Sequence, residues 1–188
     1  MIFSSVNKKD KPAFTLLELL VVIGIFTLLV SATVANYRVG NRQSQLRLAA
    51  QELAANIRLV QSYAIGSKDF TNSSQESQPP SGGWGIYLTT TESSSYKIIV
   101  DLDENHLWVS SSDDFLRTIN LPQNVIIDEI LINSTTTTTA ATILFWPPEP
   151  QTFINGTSSN NVAITFKDGI TMTTNRVLVN FFGLIEVE

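Results

Sequence analysis

The hydrophobic pattern changes character twice along this chain. From Phe14 to Ala35 the residues are apolar on every side, and Glu18 is the only ionisable one among them. That stretch is long enough to cross a bilayer, which takes about 20 predominantly apolar residues. From Tyr37 onward the apolar residues thin to a stripe, Leu46, Ala49, Ala50, Leu53, Ile57, Val60 and Ala64, at three- and four-residue steps. Such spacing predicts an amphipathic helix with one buried face. No proline falls between Phe14 and Ile65, so one helix is predicted across the whole span, its first half in lipid and its second on a folded head. Gly24 and Gly40 are its weak points, with a bend expected at Gly40-Asn41 and a C-terminal cap at Gly66.

After Gly66 the pattern breaks. Residues 67–83, with Ser73-Ser74, Pro79-Pro80 and Gly82-Gly83, read as a polar loop. Residues 84–188 then supply short β-like runs: Trp84–Thr90, Tyr96–Leu102, His106–Val109, Phe115–Leu121, Val125–Ile132, Thr142–Trp146, Val162–Phe166, Ile170–Thr174, Arg176–Asn180 and Leu184–Val187. Val125–Ile132 is apolar nearly throughout, as in a strand covered on both faces or one that changes partner midway. The threonine run Thr135–Thr139 reads as a hairpin edge or a mobile loop. Pro147-Pro148-Glu149-Pro150 has no ladder donors at its prolines and reads as an extended connection at a sheet edge. The predicted class is α+β: a long N-terminal helix packed on an antiparallel β-sheet head.

Length and charge narrow the picture. A chain of 188 residues has room for one membrane element and one modest head. Lys8, Lys9 and Lys11 outweigh Asp10 by two charges in the first 13 residues, which leaves −7 on the remainder of a chain whose formal charge is −5. An acidic head with scattered Lys and Arg is a poor polyanion binder, so nucleic acid is not an expected partner. Both flanks of the apolar run are basic, Lys8-Lys9-Asp10-Lys11 before it and Arg38, Arg42 and Arg47 after it. The denser leading cluster favours a cytoplasmic N-terminus. Leu29-Val30-Ser31-Ala32-Thr33-Val34-Ala35 leaves open cleavage after Ala35 as in a secretory signal, although the helical pattern continues beyond it.

The string Lys11-Pro12-Ala13-Phe14-Thr15-Leu16-Leu17-Glu18-Leu19-Leu20-Val21-Val22-Ile23 resembles the class III signal of type IV prepilins and type II secretion pseudoprepilins. The resemblance implies that residues 1–13 are a leader cut between Ala13 and Phe14 by a prepilin peptidase. It implies N-methylation of the new Phe14 amine and an assembly role for Glu18. Ala13 stands where the family usually has Gly. On this view residues 14–35 form a transmembrane and polymerisation helix, and residues 36–66 carry it into the head. The implied partners are other pilin or pseudopilin subunits, the prepilin peptidase, an inner-membrane assembly platform and the lipid bilayer. Trp84-Gly85-Ile86, Asp101-Leu102-Asp103 and Asn180-Phe181-Phe182-Gly183-Leu184-Ile185 are similar to sheet landmarks of the H-type minor pseudopilins and FimT-like minor pilins.

Physical reasoning supports the role given to Glu18. A charged side chain inside the membrane costs at least about 2.5–3.5 kcal/mol, and an amine four residues away on the same helical face, or on a neighbouring subunit, offsets that cost. The bland alternative is that Glu18 lies near the interface and snorkels.

Other chemistry finds little footing. Asp101, Asp103 and Asn105 place oxygen ligands at alternate positions, but the EF-hand pattern needs Gly and Glu where this chain has His106 and Ser112. The flanking Ile98-Ile99-Val100 and Leu107-Trp108-Val109 read instead as a hairpin, with His106 exposed in its turn, and no metal site is assigned. His106 is the only histidine, there is no cysteine, and no nucleophile elbow or phosphate loop accompanies it. The expectation is therefore a non-enzymatic protein without cofactor. The sequons at Asn72, Asn133 and Asn155 read as polar loops. Two other readings stay open: a membrane-tethered or secreted β-rich binding domain, and a DNA-uptake minor pilin.

Overall fold

A computed structural model describes residues 14–71, 77–147 and 151–188, with the backbone alone at 34–36. The leader with Ala13, the sequon at Asn72 and most of the Pro-Pro-Glu-Pro segment lie outside the described residues. The chain divides into two compact units, Met1–Gly40 and Asn41–Glu188.

One α-helix, α1, runs from Leu16 to Ile65. It begins two residues later than expected because Thr15 caps it: the Thr15 hydroxyl oxygen accepts the Glu18 N–H at 3.2 Å. The helix is unbroken through Gly24 and Gly40. Its C-terminal turn closes with Ser67 donating to the Ala64 carbonyl at 3.1 Å and Lys68 to the Tyr63 carbonyl at 2.9 Å. That is the Schellman pattern, and the left-handed residue it requires is Ser67, with φ of 44°, rather than Gly66.

The strands that follow are β1 (Phe70–Thr71), β2 (Ser77–Gln78), β3 (Gly83–Thr89), β4 (Ser95–Asp101), β5 (Asp114–Asn120), β6 (Val125–Ile132), β7 (Thr136–Thr138), β8 (Ala140–Trp146), β9 (Gln151–Ile154), β10 (Val162–Asp168), β11 (Thr174–Val179) and β12 (Ile185–Val187). Instead of one sheet they form two five-stranded antiparallel sheets, ordered β5-β4-β3-β8-β9 and β12-β11-β10-β6-β7, plus a two-residue ladder of β1 with β2 inside the polar 67–83 stretch. Every residue of the predicted helical stripe from Leu46 to Ala64 is buried. It shares a single core with Trp84, Ile86, Ile98 and Phe145 of the first sheet and Ile127, Ile164, Phe166 and Val177 of the second.

The β6 pattern has a local cause. Its register with β10 shifts so that Thr165 faces Glu129 and Phe166 faces Ile127. Asp128 is thus the extra residue of a β-bulge. The bulge resets the alternation, so Val125 and Ile127 before it and Ile130 after it all point into the core. Asp128 itself meets the Lys167 ammonium at 3.2 Å. Thr136–Thr138 settles as an edge strand on β6, the first of the two expectations for the threonine run.

Two predicted strands are absent. His106–Val109 belongs to an irregular segment between β4 and β5, and Ile170–Thr174 is mostly the β10–β11 turn. Their apolar residues mimic strands in composition but lie where the backbone is held by side-chain oxygens.

Candidate functional site

The first candidate is the N-terminal half of α1. Every described residue from Phe14 to Thr33 is exposed in the single chain, Leu16 at 81% and Leu28 at 72%. Three hydroxyls there are satisfied locally. Thr27 donates to the Ile23 carbonyl at 2.7 Å, Ser31 to Leu28 at 2.9 Å and Thr33 to Leu29 at 2.8 Å. Such back-bonding hides hydroxyls that would otherwise be costly in hydrocarbon. The segment is long and apolar enough to cross a membrane. Glu18 occupies the third helical position after the Thr15 cap, where a carboxylate meets the positive end of the helix dipole.

The second candidate is in the head, on the segment from Asp101 to Asp113. Carboxylate oxygens of Asp101, Asp103 and Asp113 all lie within 4.8 Å of one another, the spacing of a cation site. Each oxygen, however, already accepts a hydrogen bond from this segment. Asp101 takes the N–H groups of Asp103, Glu104 and His106 at 3.1, 2.8 and 2.8 Å. Asp113 takes those of Leu102 and Val109 at 3.1 and 2.8 Å, and Asp103 takes the backbone and side-chain N–H of Asn105 at 3.2 and 2.8 Å. The carboxylates therefore organise an irregular chain path, with Glu104 and His106 at positive φ.

Asp101 is fully buried. Burial pushes its carboxyl above the ordinary range, against the lowering effect of the His106 and Glu104 N–H groups, and the negative Asp113 and Asp103 push the same way as burial. Asp113 is also raised, chiefly by burial, while the Ser112 hydroxyl helps hold Asp103 below the ordinary range. Gly82 is required beneath this hub, since a Cβ there would stand 2.1 Å from the Asp101 carboxyl carbon.

His106 is not the exposed turn histidine expected from sequence. Its ring stacks on Phe153 at 3.9 Å and lies 5.8 Å from Trp146, with Nδ1 3.6 Å from Asp101. Trp108 continues this aromatic band, 5.9 Å from Tyr87 and 6.5 Å from Phe115. The segment thus covers the outer face of the first sheet, which explains why Ile99 is buried there.

Among known families, residues 8–34 match the model described as the prokaryotic N-terminal methylation motif. That motif, at the N-terminal end of the chain, supports a type IV pilin-like reading. No curated protein and no solved structure matches it. The match spans Ala13, Phe14 and Glu18, the residues that sequence reasoning marked for cleavage, methylation and assembly. Phe14 and Glu18 lie four residues apart at the exposed start of α1, whereas Ala13 lies outside the described residues.

Sequence reasoning missed several head residues that position the helix. Asn56 is buried on α1 and donates to the Tyr96 hydroxyl at 2.7 Å. Arg117 reaches the Asn56 oxygen at 3.5 Å. Burial raises the Tyr96 phenol to about 12, with the Asn56 hydrogen bond opposing it. A polar residue on the apolar stripe was the available signal. Asn133 and Asn155 are structural: Asn155 accepts the Thr142 N–H at 2.8 Å, and Asn133 accepts that of Asn161 at 2.9 Å.

Proposed function

We propose that this chain is a minor pilin or pseudopilin, a structural rather than enzymatic subunit of a type IV pilus or type II secretion pseudopilus. Residues 1–13 are a leader that prepilin peptidase removes after Ala13, and Phe14 becomes the N-methylated first residue. Residues 14–35 anchor the subunit once through the cytoplasmic membrane with the head outside, then pack against the same helices of other subunits on an assembly platform. Residues 36–66 carry the helix into the head, 67–83 form a polar connection, and 84–188 complete the head. The H-type and FimT-like subgroup is proposed on short head motifs.

The observation that carries this reading is the methylation motif at residues 8–34 on a helix whose apolar side chains are exposed. Once the leader is gone, the Phe14 ammonium and the Glu18 carboxylate stand one helical turn apart. Two such charges at 4 Å attract by about 1 kcal/mol in water and about 4 kcal/mol at an effective dielectric of 20. Each alone costs a comparable amount in the bilayer. Pairing, within a subunit or between neighbours, therefore makes a packed bundle favourable where a lone carboxylate is not.

The test is substitution at Glu18. Glu18→Ala leaves the subunit in the membrane yet reduces its co-purification with sheared filaments, and Glu18→Lys reduces it further by opposing the amine. Wild-type incorporation of both variants would refute the pairing role.

A further inference from the structure

The segment between β4 and β5 is held by one carboxylate at its most strained points. Glu104 and His106 have φ of 60° and 59°, a conformation that residues other than glycine keep only where the surroundings over-determine it. The N–H groups of both are donated to Asp101, at 2.8 Å each. If that hold weakens, the strain favours release of the segment.

The hold is sensitive to charge. Asp101 is fully buried, with carboxylate oxygens of Asp103 and Asp113 within 4.8 Å of its own, and burial raises its carboxyl above the ordinary range. A carboxyl raised in this way stabilises the folded arrangement while protonated and loses that contribution as pH rises. The other elements around the site present uncharged groups: Gly82 lies beneath Asp101, and Trp146 of β8 and Phe153 of β9 lie against His106. Lys97 of β4 faces Glu92 at 3.9 Å and the rings of Trp108 and Phe115, and Glu104 is exposed.

His106 is placed to balance the charge. Its Nδ1 is buried, has no hydrogen-bond partner among the described residues and lies 3.6 Å from Asp101 Oδ2, while its ring is fixed by stacking on Phe153 at 3.9 Å. A carboxylate offers about four acceptor sites. The N–H groups of Asp103, Glu104 and His106 use three, and the imidazole stands at the remaining one. A proton on Nδ1 therefore neutralises the site without taking an acceptor away from the backbone.

We propose that Asp101 and His106 form a proton-operated clasp: one proton held between Oδ2 and Nδ1 closes the segment over the outer face of the first sheet, and its loss at higher pH lets the segment open. Closing draws the two atoms toward the ~2.8 Å of a charge-assisted hydrogen bond. Opening uncovers Ile99, which is fully buried in the closed arrangement, so the apolar surface of the head becomes a function of pH. The clasp lies wholly within the head and is independent of how the N-terminus is processed.

Because His106 is the only histidine, the full chain in detergent gives one set of imidazole 15N signals. These are followed from about pH 5 to about pH 8, in chelator-treated buffer, together with hydrogen exchange at the Glu104 and His106 N–H groups, corrected for the intrinsic pH dependence of exchange. Protection is expected to fall by up to about tenfold per pH unit, the limit for one linked proton, over the same interval in which the imidazole loses its proton. His106→Gln is expected to move the fall to lower pH. Protection that stays level, that falls over a different interval from the imidazole signal, or that falls at the same pH in His106→Gln would overturn the clasp. Should His106→Gln fail to close the segment at any pH, the two signals of the parent chain still decide.

Discussion

The two halves of α1 are built from similar residues and meet opposite fates. Leu53, Ile57 and Val60 are fully buried in the head, whereas Leu19, Leu20 and Ile23 are more than half exposed in the single chain. Burying such a side chain is worth about 1.5–3 kcal/mol, so the C-terminal half gains within its own chain what the N-terminal half can gain only from lipid or other subunits. Apolar content alone does not distinguish a core from an anchor. Distribution does: a stripe has one covering surface, and a helix apolar all round needs cover on every side.

The sharpest way to break the comparison is to remove the same group from each half. Leu53→Ala should destabilise the head by about 2–5 kcal/mol, read as a loss of unfolding free energy in detergent. Leu20→Ala should leave head unfolding within about 0.5 kcal/mol of the parent, and its effect should appear in filament association. Equal losses of head stability from both would erase the distinction.

A smaller effect tests the polar tie between helix and sheet. Asn56→Ala leaves the buried Tyr96 hydroxyl without its donor and should cost about 1–3 kcal/mol. Because the Tyr96 phenol is raised to about 12 in the folded head, an unfolded chain releases this proton near pH 10 while the native one retains it. Head stability should therefore fall as pH rises from about 10 toward 12, and Tyr96→Phe should remove that part of the slope.

The smallest effect belongs to Asp168. The Thr171 N–H above all, with the Ile170 N–H, the Thr171 hydroxyl and the Arg42 guanidinium, holds its carboxyl below the ordinary value. The stability it contributes is present above the unfolded value of about 3.9 and is lost as pH falls through the folded one. Asp101 acts in the opposite sense, since its raised carboxyl favours the native state as protons bind. Asp168→Asn should flatten the acid-side loss of stability in an acid titration, and Asp101→Asn should remove the opposing gain.

How far the sequence reveals this molecule follows from the range of the interactions. The buried stripe from Leu46 to Ala64 is legible because helical periodicity is a property of neighbours three and four residues apart. The C-terminal end is legible to within one residue, since Ser67 rather than Gly66 takes the left-handed position, whereas the Thr15 cap at the other end was not read. The Asp128 bulge was hidden because it exists only in register with β10. Leu107 and Trp108 resemble a strand by composition, but their backbone follows Asp101 and its neighbours, which draw in N–H groups up to five residues along. At the N-terminus the signal is dense, since Ala13, Phe14 and Glu18 stand within one matched motif. The stretch from Ile170 likewise resembles a strand by composition, but its backbone is turned by the buried Asp168, which accepts the Ile170 and Thr171 N–H groups.

The most direct measurement is the intact mass and N-terminal sequence of the full chain recovered from membranes of cells that contain a prepilin peptidase. A mature chain that begins at Phe14 and is heavier by one methyl group is the expected result. A chain that keeps Met1, or one that begins after Ala35, would contradict the assignment of α1 as the assembly helix of a processed pilin-like subunit.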